Sequence, residues 1–281
     1  MQISFYQNTH PSFYEGWHPR TQPILFDSIP IGVSPFSGGL FDIKETYLRA
    51  CTPSGKLREM MKLSPKARAK AEHNNLHLIN GMHITQRYGF PILSPCRECP
   101  DLACVPYSSR NERGKQNFGV HFFEDDYKFD NPIWNRLDQT TYSLRHKPYL
   151  FTPDHSLYVG PLSALNISSI YKSRFEGAFW TLCGYKVIPT ASWGDVDSFE
   201  YCFDGLPLNS VIAVCGIGIS GKKGALELWH TGLSELERRL HPILIIIYGE
   251  EREIPGLTSP VKFIQPYSKS KFKKTKHDAR K

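Results

Sequence analysis

The stretch Ser210-Val-Ile-Ala-Val-Cys215, the segment Lys222 to Leu240, and the run Ile243-Leu-Ile-Ile-Ile-Tyr248 decide the fold. The first and last are strand-sized apolar runs. Between them Leu226, Trp229, Leu233, Leu236 and Leu240 share one face at helical spacing, and Pro242 stops the helix. Ile243 to Tyr248 is apolar throughout rather than alternating, as in a strand covered on both faces. A strand, a crossover helix and a second buried strand predict parallel pairing.

The same grammar extends upstream. Pro161 to Leu182 reads as a helix with Tyr171, Phe175, Ala178 and Leu182 on its core face, and Gly184 is placed to cap it. Tyr149-Leu-Phe-Thr152 and Tyr185-Lys-Val-Ile-Pro-Thr190 flank it as strands, and Gly119-Val-His-Phe-Phe123 is an earlier one. A short helix is expected near Ser198 to Phe203, and Val261-Lys-Phe-Ile264 is the last strand. That makes about six strands, fewer than the eight of a closed barrel. The expected class is α/β: a mostly parallel sheet with crossover helices, either open or curled into a partial TIM-like barrel. Residues 1–116 read as an irregular and helical N-terminal region with a helix start at Ser64-Pro65, 117–267 as the α/β domain, and 268–281 as a basic disordered tail.

Composition sets the outer bounds. Of 281 residues 40% are hydrophobic and 22% charged, ordinary for a soluble globular chain. No apolar run approaches the about 18 residues that a membrane span needs. The start, Met1-Gln-Ile-Ser-Phe-Tyr, lacks the pattern of a signal peptide, and seven scattered cysteines fit a reducing compartment, so a cytoplasmic location is expected. The net charge is +7, but residues 268–281 hold seven cations against Asp278, so the tail carries +6 and the rest +1.

Four features can carry chemistry. In a parallel sheet every strand delivers its C-terminal loop to one edge, where ligands bind. Those loops hold Asp125 and Asp126, then Asp154, His155 and Ser156, then Trp193, Asp195 and Asp197, then Tyr248 to Glu250. Converging carboxylates there can bind Mg or Mn through oxygen, which suits phosphoryl chemistry, but Asp195 and Asp197 equally suit a helix start. Asp154 follows a strand directly, where no cap is needed. Arg174, one turn from Tyr171 on the next helix, can clamp an anion or simply pair with Glu176 or Asp195. With Asp154 and Asp195 it makes the candidate catalytic set, and His155, Ser156, Tyr171 and Trp193 are candidate ligand contacts.

The second feature is the glycine loop Gly216-Ile-Gly218-Ile-Ser220-Gly221-Lys222-Lys223, which follows a strand and opens a helix. It nearly has P-loop spacing, yet Lys223 stands where Ser or Thr would hold Mg. A plain phosphate site and a basic turn both remain open. The third is Cys96-Arg-Glu-Cys99, with Cys104 beyond it. Cys-x2-Cys is a zinc half-site, an iron–sulfur cluster is the other metal reading, and His83, His77, His73 or Cys51 can complete either. Free thiols are the alternative. The fourth is the tail, where Lys269, Lys271, Lys273, Lys274 and Lys276 attract nucleic acid non-specifically or serve solubility, with Lys56 to Lys70 as a possible second patch.

A set of segments in fixed order resembles a known family. They are Phe151-Thr-Pro-Asp-His-Ser-Leu-Tyr158, Tyr171-Lys-Ser-Arg174, Gly184-Tyr-Lys-Val-Ile-Pro189, Trp193-Gly-Asp195, Phe199 to Pro207, Asn209 to Val214, and Tyr248-Gly249. Together, over residues 117–250, they resemble the prokaryotic and phage family called domain of unknown function 4417. The resemblance implies an origin in mobile or prokaryotic genomes and no established activity. The leading expectation is a phage- or plasmid-type protein that binds nucleic acid or a nucleotide phosphate. The alternatives are a metal-dependent hydrolase or phosphotransfer enzyme on a small anionic substrate, and a non-catalytic adaptor using the aromatic N-terminal region.

Overall fold

The computed structural model describes residues 29–30, 73–79, 81–100, 103–219 and 224–267. The expected helix at Ser64, the Lys56 to Lys70 patch, Cys51 and the basic tail lie outside these residues.

A short antiparallel pair, β1 (Ile29–Pro30) and β2 (His83–Ile84), stands apart. The main body then runs β3 (Cys104–Pro106), β4 (Gly119–His121), α1 (Asp130–Trp134), α2 (Leu137–Ser143), β5 (Leu150–Phe151), α3 (Ser163–Leu182), β6 (Val187–Ile188) and β7 (Thr190–Ala191). It ends with β8 (Val211–Cys215), α4 (Ala225–Leu240), β9 (Leu244–Tyr248) and β10 (Val261–Ile264). The ladders form two four-stranded parallel sheets, β3-β4-β5-β6 and β7-β8-β9-β10.

The two sheets are one surface interrupted at Pro189, which separates β6 from β7. Proline brings no N–H to a ladder. Past it, the Thr190 N–H donates to Thr152 Oγ1 at 2.7 Å and Thr190 Oγ1 donates to Thr152 O at 2.9 Å. Side-chain bonds thus replace the missing ladder, and the strand passes from β5 to β8. The surface therefore has seven strand positions in chain order rather than six. The additional one is β3, three residues long in a turn-rich stretch whose periodicity is too short to read.

The surface curls. His121 at the end of β4 and Tyr248 at the end of β9 have ring centroids 4.3 Å apart. In a flat sheet with strands about 4.8 Å apart, the four steps from β4 to β9 would span about 19 Å. Phe123, Tyr149, Phe151, Ile188, Val211, Ala213, Ile246 and Tyr248 meet on the concave side in a single apolar cluster. A partial barrel describes this shape.

The helices cover the convex side. α3 is buried from Ser173 to Trp180 on every face, since β-strands lie on one side of it and the α1–α2 pair on the other. Trp180 Nε1 donates to Thr141 Oγ1 at 2.9 Å, and the Tyr185 hydroxyl donates to Thr141 O at 2.6 Å, which ties α2 to α3. α4 is amphipathic as read, with Trp229, Leu233, Leu236 and Leu240 buried. Leu226 and Leu182, expected on core faces, are exposed, each in a terminal turn of its helix. The short helix expected at Ser198 is a 3-10 turn over Val196–Glu200. Among the described residues no helix is long and apolar enough to cross a membrane.

Candidate functional site

The C-terminal ends of the strands enclose a cleft of about 1080 Å³. Its wall takes Pro106 from β3, Phe123 to Asp125 after β4, and Asp154 to Leu157 after β5. It continues with Ala191 to Trp193 from β7, Val214 and Cys215 from β8, Tyr248 from β9, and Tyr267 beyond β10. Parallel strands in sequential order produce this convergence, because each points its carboxyl end the same way.

The loops around the cleft are laced by carboxylates. Asp126 accepts from the Ser156 N–H and hydroxyl, each at 3.0 Å. Glu124 accepts from the Ser108 N–H at 2.8 Å and its hydroxyl at 2.6 Å. Lys128 lies 3.2 Å from Asp125 and 3.9 Å from Glu124. On the far side the Tyr267 N–H donates to the Tyr248 hydroxyl oxygen at 3.0 Å, and the Tyr267 hydroxyl bonds Glu112. Burial pushes the Tyr248 phenol up to about 12, so it stays neutral. Trp229 Nε1 donates to Cys215 O at 2.8 Å. Trp193 lies flat on α4 at Gly232, where a Cβ would fall 2.1 Å from the indole.

Asp154 differs from the other acids. Its pKa is pushed up to about 7, chiefly by removal from water and then by the nearby charge of Asp126. A bond with Ser192 and the proximity of His155 pull the other way and do not prevail. The residue keeps part of its surface open to the cleft while protein atoms surround its carboxyl.

His155, next in the chain, borders the cleft while its ring nitrogens face the helix layer. Its Nε2 lies 2.9 Å from Glu176 Oε2 and its Nδ1 3.5 Å from Asp130 Oδ1, which Lys172 also contacts at 2.7 Å. Burial opposes charge on the imidazole, but Glu176 outweighs it, so the His155 pKa is raised. Glu176 is fully buried, and among the described residues its Oε1 has no hydrogen-bond partner. This pair clamps the turn that carries Asp154.

Of the residues expected to act together, Asp154, His155, Ser156, Trp193 and Gly218 line the cleft. Gly216 lies just beneath, its N–H donating to Tyr248 O at 2.9 Å. Ser220, Gly221 and Lys222 are outside the described residues. Arg174 and Asp195 are not brought to Asp154. The Arg174 guanidinium is buried and donates to the carbonyls of Cys202 at 2.7 Å, Asp204 at 3.1 Å and Thr190 at 3.3 Å. It braces the chain between β7 and β8 and pairs with neither expected carboxylate. Asp195 caps the 3-10 turn through the Ser198 N–H at 3.2 Å and accepts from the Gly160 N–H at 2.9 Å. Tyr171 packs against Trp134 and Phe175 in the helix layer.

Cys96 and Cys99 line a second cavity, of about 400 Å³, at the opposite end of the strands. All three expected metal-site thiols are free, and burial pushes Cys104 up to about 12. Among the described residues no three His, Cys, Asp or Glu side chains form a group that could hold a metal ion. Sequence reasoning overlooked Asp130, took Glu176 only as a possible partner of Arg174, and placed Cys215 in an apolar strand without assigning it to the cleft that it lines. The signal for Glu176 was available: it is the single charge in Phe175-Glu-Gly-Ala-Phe-Trp180.

The chain belongs to the family described as domain of unknown function (DUF4417), whose model matches residues 82–263. That span takes in β2 and β3, which the resemblance over 117–250 had left outside. The chain is 36% identical over 187 residues to the Gene 1 protein of Mycobacterium phage L5, covering 66% of this chain and 81% of that one. It is 33% identical over 175 residues to the Gene 1 protein of Mycobacterium phage D29, covering 62% of this chain and 64% of that one, so it spans just under two thirds of the D29 protein. No solved structure matches.

Proposed function

We propose that this family member is an enzyme that moves a proton on a small organic molecule held in the C-terminal cleft, with Asp154 as the acid–base group. The observation that carries the reading is the setting of Asp154, a desolvated carboxyl among loops from every strand position. A general acid or base works best with a pKa near the ambient pH. A carboxyl kept only for structure would gain from N–H donors, such as those that Asp126 and Asp195 accept from. The buried His155–Glu176 pair would hold the catalytic turn in register. A cleft of about 1080 Å³ is roomy for a single small molecule.

The same walls disfavour a nucleic-acid backbone in this cleft. Glu124, Asp125 and Asp154 line it, and Lys128 is already engaged by Asp125. A polyanion-binding role would rest instead on the lysines of residues 268–281 and on Lys222. A carboxylate-held Mg or Mn is also less favoured, since Glu124 and Asp126 are committed to N–H and hydroxyl donors. Zinc or iron–sulfur at Cys96, Cys99 and Cys104 stays a separate proposal.

The test is carboxyl-carbon NMR titration, with Asp154→Asn to assign the signal. A midpoint near 7 is expected. A midpoint near the ordinary value of about 4 would remove Asp154 as an acid–base group at neutral pH.

A further inference from the structure

The cleft walls also carry information about what they would receive. Among the described residues five aromatic side chains line it: Phe123, Trp193, Trp229, Tyr248 and Tyr267. Phe123 and Tyr248 stack with centroids 5.0 Å apart. Beside them are the carboxyls of Glu124, Asp125 and Asp154. Among the described residues, the cations that line the cleft are engaged. Lys128 pairs with Asp125 at 3.2 Å, and both His155 ring nitrogens face Glu176 and Asp130. The Arg252 guanidinium stands 5.8 Å over the Trp229 ring, so this wall already hosts a cation of the chain's own.

We propose that the cleft takes an organic cation, a small molecule bearing an amine or quaternary ammonium group, seated between the aromatic walls and the carboxylates of Glu124, Asp125 and Asp154. This rests on the reading of the cleft as the working site and names the class of its substrate. Ring faces are electron-rich and attract a cation that has shed water, and the carboxylates compensate its charge. A neutral molecule of the same shape would keep only the apolar contact. An anion would meet the carboxylates of Glu124, Asp125 and Asp154, which is discrimination by repulsion.

The cation needs Asp154 ionised. The groups around Asp154 are Ser192, Asp126 and His155, with Cys215 close by. Since its pKa lies near 7, affinity for a cation should rise with pH across that value.

The test is titration calorimetry on the full chain at pH 6 and pH 8. The probes are choline, agmatine and spermidine, with 3,3-dimethylbutan-1-ol as the neutral shape-match of choline and AMP as an anion. At least one cation should saturate a single site, and choline should bind about tenfold or more tighter than its neutral match, the step that 1.4 kcal/mol represents. Binding should strengthen from pH 6 to pH 8, and Asp154→Asn should abolish that dependence. Trp193→Ala should weaken binding about tenfold. Asp125→Asn, at an exposed carboxyl where the fold is spared, should weaken it about two- to threefold, a rim-charge effect. The proposal is overturned if no cation saturates, if the neutral match binds as well as choline, or if AMP binds more tightly than every cation. Cation binding with an Asp154 midpoint near 4 would remove the proton-transfer reading alone. A midpoint near 7 with no cation bound would remove this one alone.

Discussion

The two ends of the strands are built on opposite principles. At the C-terminal end, polar side chains from successive loops face an open cleft, and one carboxyl, Asp154, is held where its charge is disfavoured. At the N-terminal end, the loop carrying Cys96 is stitched onto β8. The Cys96 N–H donates to Ser210 Oγ at 2.9 Å and the Val211 N–H donates to Cys96 O at 2.7 Å. Ser210 is fully buried there. The smaller cavity beneath that loop has Tyr149, Tyr185, Val187 and Ile188 in its wall. One end gives up stability for a polarised site, and the other spends its bonds on closure. Parallel strands gather their C-terminal loops at one edge and their N-terminal loops at the other, and ligand sites in such folds lie at the C-terminal edge.

If that division holds, substitutions should separate cleanly by location. The largest effect belongs to Arg174, which sequence spacing had assigned to the cleft. Arg174→Ala should cost about 3–5 kcal/mol in urea unfolding, because three carbonyls lose a buried charged donor. A folded Arg174→Ala protein that loses ligand binding but not stability would return Arg174 to the site.

Asp154→Asn should do the reverse. The folded pKa lies above the unfolded one, so the native state binds more protons between about pH 4 and pH 7 and loses stability as pH rises through that window. Asparagine removes this loss. The variant should match wild type near pH 4 and exceed it above pH 7, by up to about 2 kcal/mol after allowing for water that reaches the cleft. Thermal melting at pH 4, 6 and 8 checks it. Wild type being the more stable protein at pH 8 would mean that the carboxylate is well satisfied and not poised.

Ser210→Ala at the N-terminal end should cost about 1–2 kcal/mol by leaving the Cys96 N–H without its partner, with choline binding unchanged. Two smaller effects lie outside the division. Deleting residues 268–281 should leave melting unchanged while lowering the salt needed to elute the protein from heparin, and an unchanged elution would end the polyanion reading of the tail. Metal analysis decides the cysteines: less than about half an equivalent of zinc or iron would leave Cys96, Cys99 and Cys104 as free thiols.

Much of the scaffold was legible because periodicity is a local property. Ile243 to Tyr248 and the Leu233–Leu236–Leu240 face report their surroundings without outside help. The choice between an open and a curled sheet was not legible, since it depends on which concave side chains meet, such as His121 with Tyr248. β3 was missed because three residues carry too short a pattern. Asp154 could be placed at the cleft because it follows a strand and no helix start claims it. Arg174 and Asp195 misled for the converse reason. A buried Arg and a capping Asp have the composition of a site, and only their bonds to Cys202 O and the Ser198 N–H reveal structural work. Glu176 acts through His155 from the opposite layer, a pairing 21 residues apart that no spacing rule covers.

The most direct test of the two-ended account is amide chemical-shift mapping of the full chain against a panel of small cationic, neutral and anionic fragments. The account predicts that saturable perturbations cluster at Asp154 to Leu157, Ser192 to Gly194, Gly216 to Ile219 and Tyr248. Perturbations centred instead on Ser94 to Pro100, Tyr149 and Tyr185 would place the working end at the N-terminal mouth and contradict it.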